Sequence, residues 1–357
     1  MRPAGLATGV GGGRTVTSEE VIPTASFDSA SAVPLAHALV NHLGASAGIK
    51  VFSIKGPTLA LLGLRQERLA ADADIWVEPS RVDDIHAMLV EIGWRVRFES
   101  ADRQARFLPA HSRTFTHPGW PCDLDVHWWF PGLGVSPERA FEILWPCAVD
   151  AKLANQPVRV LNRPAAGLIA ALHGLRHARS ALHRDDLDDL ATRLAACPVA
   201  EQQEFGELAR QLEAVEVMAP ILGRLGLSCD HQPLNEKDRR IWFEYTQTHD
   251  DGYTGAWIAQ LRDARWRDRP MVLSRALWKS SADLQAASPD VKLGWPQRLR
   301  LRSIRWWSGM RHAPRAIWIV LATKEHWNPS SSPTSFSSSR STSVSAVPLA
   351  GPREAGP

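Results

Sequence analysis

The sequence predicts an α+β protein: a small mixed β-sheet with helices packed on it, followed by a mainly helical domain. Three observations predict it. Short strand-like runs interleave with helix-periodic stretches as far as Trp128. A leucine stripe of helical period then runs from Ala165 to Ala196, and further helix-like segments follow to about residue 325.

Taken in order, Pro34 to Leu43 has helical spacing through Leu35, Leu39 and Leu43, and Val51 to Ile54 is a short apolar strand. Pro57 suits the first position of a helix running through Leu59, Leu62 and Leu64. Ala73 to Val77 reads as the second strand. Pro79-Ser80 opens a helix with Ile85, Leu89 and Ile92 on one face, and Gly93 ends it. Extended pieces follow at Trp94 to Phe98, Arg106 to Leu108, Arg113 to Thr116 and Cys122 to Trp128, the last set off by a Pro-Gly-Trp-Pro turn. Residues 131 to 164 are transitional, with a helix over Pro137 to Leu144. The Ala165 to Ala196 helix is expected to break near Arg184. Helices are expected over Glu201 to Leu225, Arg239 to Glu244 and Gly255 to Trp266. The domain plan is thus a disordered segment at 1–30, an α/β domain at 31–150, a mainly helical domain at 160–325, and a disordered Ser/Pro-rich tail at 328–357.

Composition narrows the function classes. A hydrophobic content of 44% is enough for a real core, and a net charge of +3 is too small to argue a nucleic-acid partner by itself. Four cysteines without Cys-x-x-Cys spacing fit thiols in a reducing cytosol better than disulfides or a zinc site. The N-terminal stretch lacks a secretory apolar run, and 316–322 is too short to span a bilayer, so a cytoplasmic protein without a transmembrane segment is expected.

The chemistry centres on Ala-Asp-Ala-Asp-Ile-Trp-Val. Side chains two apart on a strand share a face, so Asp72 and Asp74 project together while Ala73, Ile75 and Val77 face the other way. Two like charges this close are costly to bury unless a cation lies between them, and paired carboxylates suit Mg²⁺ or Mn²⁺ beside substrate phosphates. Upstream, Lys55-Gly56-Pro57 breaks a strand into a tight turn. Downstream, Asp123 and Asp125 share one face of a second alternating strand that ends in His127.

These residues carry a family resemblance. Lys55-Gly56, then Arg68-Leu69-Ala70-Ala71-Asp72-Ala73-Asp74, then Asp125-Val126-His127-Trp128 resemble the nucleotidyltransferase-like bacterial proteins of the DNA polymerase β superfamily, over roughly residues 35 to 195. The resemblance implies a nucleotidyltransferase head using a nucleoside triphosphate as substrate. It implies Asp72, Asp74 and Asp125 as metal ligands and catalytic carboxylates, with Asp125 preferred over Asp123. It further implies that Gly56 lets backbone approach the phosphates and that Lys55 or Arg68 neutralises them. His127 holds a ligand carboxylate, faces the substrate, or is a structural histidine. Pro57 stands where the broader superfamily prefers a glycine or serine, which also supports an inactive binding or regulatory relic. The acceptor is expected to be a small molecule or peptide, in line with relatives that resemble natural-product tailoring enzymes.

Two further motifs have bland alternatives. His173 and His177 lie four apart on one helix face, but without a nearby third ligand the spacing favours a structural pair over a metal site. The resemblance matches Asp189 to an acid after a His-rich helix; none of Asp185, Asp186, Asp188 and Asp189 is expected to be catalytic. Arg298, Arg300, Arg302, Arg305, Arg311 and Arg315 interleave with Trp306, Trp307 and Trp318 in a basic-aromatic segment at 295–318. Nucleic acid or an anionic membrane would suit that segment, but a surface helix packing its tryptophans is favoured.

Overall fold

The computed structural model describes residues 28–97, 110–177, 181–228, 232–248 and, with gaps, 257–322. Helix α1 (Ser29–Ala47) starts where the Asp28 carboxylate accepts from the Ser31 N–H and ends at Gly48, whose φ of 64° is the left-handed closure glycine permits. Strand β1 (Val51–Ile54) leads into the short helix α2 (Gly56–Leu61). Strand β2 (Asp72–Val77) precedes a 3₁₀ turn at Pro79–Arg81 and α3 (Val82–Glu91). Then come β3 (Arg95–Val96), β4 (Ser112–Thr116), β5 (Asp123–His127), α4 (Pro137–Leu144) and the hairpin β6 (Ala148–Leu153) and β7 (Gln156–Leu161). The helical part comprises α5 (Arg163–Arg176), α6 (Ala181–Ala195), α7 (Val199–Gln211), α8 (Val215–Arg224), α9 (Glu236–Thr248), α10 (Arg269–Leu277) and α11 (Trp295–Ala322).

The seven strands form one mixed sheet in the order β3-β4-β5-β2-β1-β7-β6. Pairs β2–β5 and β1–β7 are parallel, and the others antiparallel. Alternation along the strands gives the sheet two apolar faces. Val51, Ala73, Ile75, Val77, Leu124 and Val126 pack on α1 and α3. Phe52, Ile54 and Trp76 join the other core, which continues without interruption through Leu168, Leu172, Phe205 and Met218 into the helices. Burying rings of this size on both faces contributes about 25 cal/mol per Å² of apolar surface removed from water. The Asp-bearing face of β2 is the one turned toward the helices.

Several elements differ from the sequence expectation. The transitional stretch contains the β6–β7 hairpin. Its tip, Ala154 and Asn155, takes φ values of 48° and 59°, the mirror-image turn that fits the twist of paired strands. The long leucine stripe is two helices, broken after Arg176 rather than near Arg184, and the 201–225 stripe is likewise split into α7 and α8 at Leu212–Ala214. Helix α2 stops at Leu61, before the expected Leu64. The extended piece at 106–108, the tail at 328–357, most of segment 1–30 and much of the 255–266 helix lie outside the described residues.

Candidate functional site

The parallel pairing of β2 with β5 builds the site. Its register sets Asp72 against Asp123 and Asp74 against Asp125, and paired residues of neighbouring strands project from the same face. All four carboxylates therefore stand on the helix-facing side of the sheet. Asp123 is ion-paired with Arg97, while Asp125 faces inward, so the two acids that the strand pattern left equivalent have different tasks.

Asp74 is the buried centre, 3% exposed. Its Oδ1 lies 2.6 Å from Lys55 Nζ and 2.8 Å from His127 Nε2. Burial penalises its charge, but Lys55 and the His127 hydrogen bond outweigh that and hold its carboxyl well below the usual carboxylate range. Asp125 lacks that compensation. Burial, reinforced by the charge of Asp74, pushes it up to about 6 against a hydrogen bond from Thr114. Asp72 is raised for the same two reasons, burial and then Asp74. Burial takes His127 down to about 4, so it is neutral beside Asp74. Asp74, Asp125 and His127 each offer a ligand atom, all within 4.8 Å of one another, and among the described residues this is the one such group of three. Asp72 lies outside that trio and lines the cleft next to it.

Lys55 reaches Asp74 because of an unusual backbone. Its φ of 52° and ψ of −151° lie close to a region that is otherwise almost glycine's alone, a strain of about 1–3 kcal/mol. Gly56 follows at φ +43°, where a side chain would be strained. Below the turn is His37, completely buried, with neither ring nitrogen hydrogen-bonded and its Nε2 3.5 Å from where a Gly56 Cβ would sit. Burial drives its pKa down to about 4. Nothing in the spacing of α1 distinguishes this histidine from a core residue.

The cleft, about 230 Å³, runs between this strand wall and α5 and α6, with Lys55, Gly56, Arg65, Asp72 and Asp74 on one side and His173, His183 and Asp186 on the other. Arg68 also lines it, but its guanidinium makes a paired contact of 2.5 and 2.6 Å with Asp186 and ties the loop before β2 to α6. His173 and His177 share a face as their spacing predicts, and both meet Arg176. Its Nε donates to His177 Nε2 at 3.2 Å and its terminal nitrogens approach His173 Nδ1 at 3.5 Å and His111 Nε2 at 3.0 Å. Burial, then the charges of Lys55 and Arg176, keep His173 neutral, which suits acceptors around a guanidinium. His183 joins their stack at 4.8 Å from His177, a contact no local pattern signals. Asp189 pairs with Arg193 at 2.8 Å within α6, and Asp188 pairs with Arg224 and so ties α6 to α8.

The family described as "Uncharacterised nucleotidyltransferase" matches residues 28–225, which contain both walls of this cleft. No curated protein matches the chain. Two solved structures are similar at a distance. An antigenic nucleotidyltransferase-like protein from Paracoccidioides brasiliensis is 14% identical, with a TM-score of 0.37 over 58% of this chain and 98% of that one. The lincosamide antibiotic adenylyltransferase LnuA, with lincomycin bound, is 16% identical, with a TM-score of 0.32 over 46% of this chain and 98% of that one. At these scores neither likeness bears on function.

Proposed function

Because the chain belongs to the family of uncharacterised nucleotidyltransferases, we propose that it transfers a nucleoside monophosphate from a nucleoside triphosphate to a small-molecule or peptide acceptor. The observation that carries this reading is the β2–β5 register, which brings Asp74 and Asp125 together beside the Lys55-Gly56 turn.

The donor set fits a divalent cation. Two carboxylates and an imidazole converge within one coordination sphere, and the balance of carboxylate oxygen favours Mg²⁺ or Mn²⁺. Asp74 and Asp125 would hold it, with Asp72 alongside, and His127 would orient Asp74 by the hydrogen bond it already makes. Such an ion supplies charge neutralisation to the attacking and leaving oxygens. In the reaction an acceptor oxygen bonds to the α-phosphorus, the bond from that phosphorus to the bridging oxygen breaks, and pyrophosphate leaves with the electron pair. Asp125, the carboxylate least compensated by a cation, accepts the acceptor's proton. Lys55 lines the same cleft as Asp74 and Asp72, so it can meet the triphosphate's charge. Arg68 contributes by bracing the loop that carries Asp72 against α6. Among the described residues no helix is long and apolar enough to cross a membrane, and the proposed setting is the cytoplasm, in a natural-product tailoring role.

Titration calorimetry with nucleoside triphosphates, with and without Mg²⁺, tests the site: binding should require the metal and vanish in Asp74→Asn. Retention of binding in that variant rejects it. A second reading, a nucleotide-binding relic, is favoured by the Lys55–Asp74 ion pair, which neutralises the central carboxylate internally. Pyrophosphate release in the presence of acceptors separates the two.

A further inference from the structure

Helix α11 lies beyond the family-matched residues and has a composition unlike the rest of the chain. From Trp295 to Ala322 it contains six arginines and no aspartate or glutamate. Leu299, Trp306, Met310 and Ile317 recur at steps of seven, four and seven, which keeps them on one stripe of a helix. All four are exposed, Met310 by 60%. Beside that stripe stands Trp307, 73% exposed, with Arg300 seven residues before it and Arg311 four after it on the same side. The helix is anchored through α10. Trp306 Nε1 donates to the Leu277 carbonyl at 2.5 Å, and the Arg302 guanidinium lies 4.1 Å from the centre of the Trp278 ring. Met271, Leu273, Leu277 and Trp278 on and just after α10 are also exposed, so both helices present large apolar side chains to solvent. Exposed apolar side chains gathered in this way mark a candidate interaction face.

We propose that α10 and α11 form a docking surface for an anionic lipid bilayer. Charge decides the sign of the partner: six cations without one acid in 28 residues need an anionic surface. The side chains decide its kind. Leu299, Met310 and Ile317 gain nothing from stacked bases or phosphates, whereas the headgroup–acyl boundary takes Leu, Met, Ile and Trp together while arginine heads stay among lipid phosphates. A second copy of this face would set arginine rows against arginine rows, which opposes self-pairing.

The test is co-sedimentation of the full-length protein with phosphatidylcholine vesicles and with vesicles that also contain phosphatidylglycerol. The protein should pellet with the anionic vesicles alone, and less as salt rises. Arg300→Gln with Arg311→Gln, and separately Trp307→Ser with Met310→Ser, should each lower partitioning roughly tenfold or more. Both should melt like the parent protein and keep its nucleotide binding, since none of these residues lines the cleft. Failure to pellet with anionic vesicles overturns the proposal, as does undiminished partitioning of both double variants. Binding of single-stranded oligonucleotides in place of vesicles, or self-association lost on Trp307→Ser, would likewise overturn it.

Discussion

The strand wall of the cleft and its helical wall handle charge in different ways. On β2 and β5, pleating forces acids onto a common face, and the cost of gathering them falls unequally: Asp74 is compensated by Lys55 and His127, while Asp72 and Asp125 are pushed upward by burial and by Asp74 itself. On α5 and α6, Arg176 meets the neutral imidazole of His173, and Asp188 and Asp189 are matched with arginines. The helical wall is thus settled in itself, whereas the strand wall holds negative charge that a bound cation would relieve. A wall left electrostatically incomplete is where a ligand gains most.

The largest effects should come from the strand wall. Asp74→Asn is expected to lower turnover by on the order of 10²- to 10³-fold or more, and to lose stability because Lys55 then faces an amide, by about 3 kcal/mol. Asp72→Asn should lose metal-dependent triphosphate binding equally but melt slightly higher, by about 0.5 kcal/mol, because a repelled carboxylate has been removed. Parallel activity assays and thermal melts of the two variants check this, and equal losses of stability would refute the division of roles within the wall.

A change of pH probes the support beneath the turn. His37 has a folded pKa of about 4, below its ordinary 6.5, so the unfolded chain binds a proton in that window while the folded chain does not. Stability contributed by the neutral ring is complete above pH 6.5 and declines as pH falls toward 4, by on the order of 2–3 kcal/mol. Denaturant titrations across that range should show the decline, and His37→Leu should make it shallower by about that amount, the remainder coming from His127 and His173, which burial also holds neutral. An identical slope in the variant excludes His37 as its source.

Lys55→Met should raise KM for the triphosphate about tenfold in steady-state kinetics and also lower the melting stability by about 3 kcal/mol, since the Asp74 carboxylate is left buried without its cation. The smallest effect belongs to the strap between the walls. Arg68→Ala removes a pair whose members are 43% and 30% exposed, and should cost under about 1 kcal/mol in a thermal melt. A loss comparable to that of Asp74→Asn would mean that the walls are not independent.

How much was legible follows from the range of each interaction. Asp72 and Asp74 were readable as a pair because a strand's two-residue period is local, and the Lys55-Gly56 turn because glycine and proline act on their own backbone. Asp123 and Asp125 were indistinguishable from local pattern alone, since only Arg97 on one side and Asp74 on the other separate them. Hairpin β6–β7 was missed although Val158 and Val160 alternate, because Pro157 and the charged residues of β6 blur the pattern. His37 and His183 carried no signal at all. Their roles depend on what lies across the fold.

The amino-acid order alone determined which short segments extend, which coil, and which acids share a strand face, all consequences of backbone periods spanning a few residues. Tertiary structure decided that β2 lies parallel to β5 in the register that joins Asp74 to Asp125, that Lys55 closes on Asp74, and that His127 orients it. Those contacts join residues about 20 to 50 positions apart in the sequence, and their geometry is fixed by burying both faces of one sheet at once, a condition no local window of sequence contains.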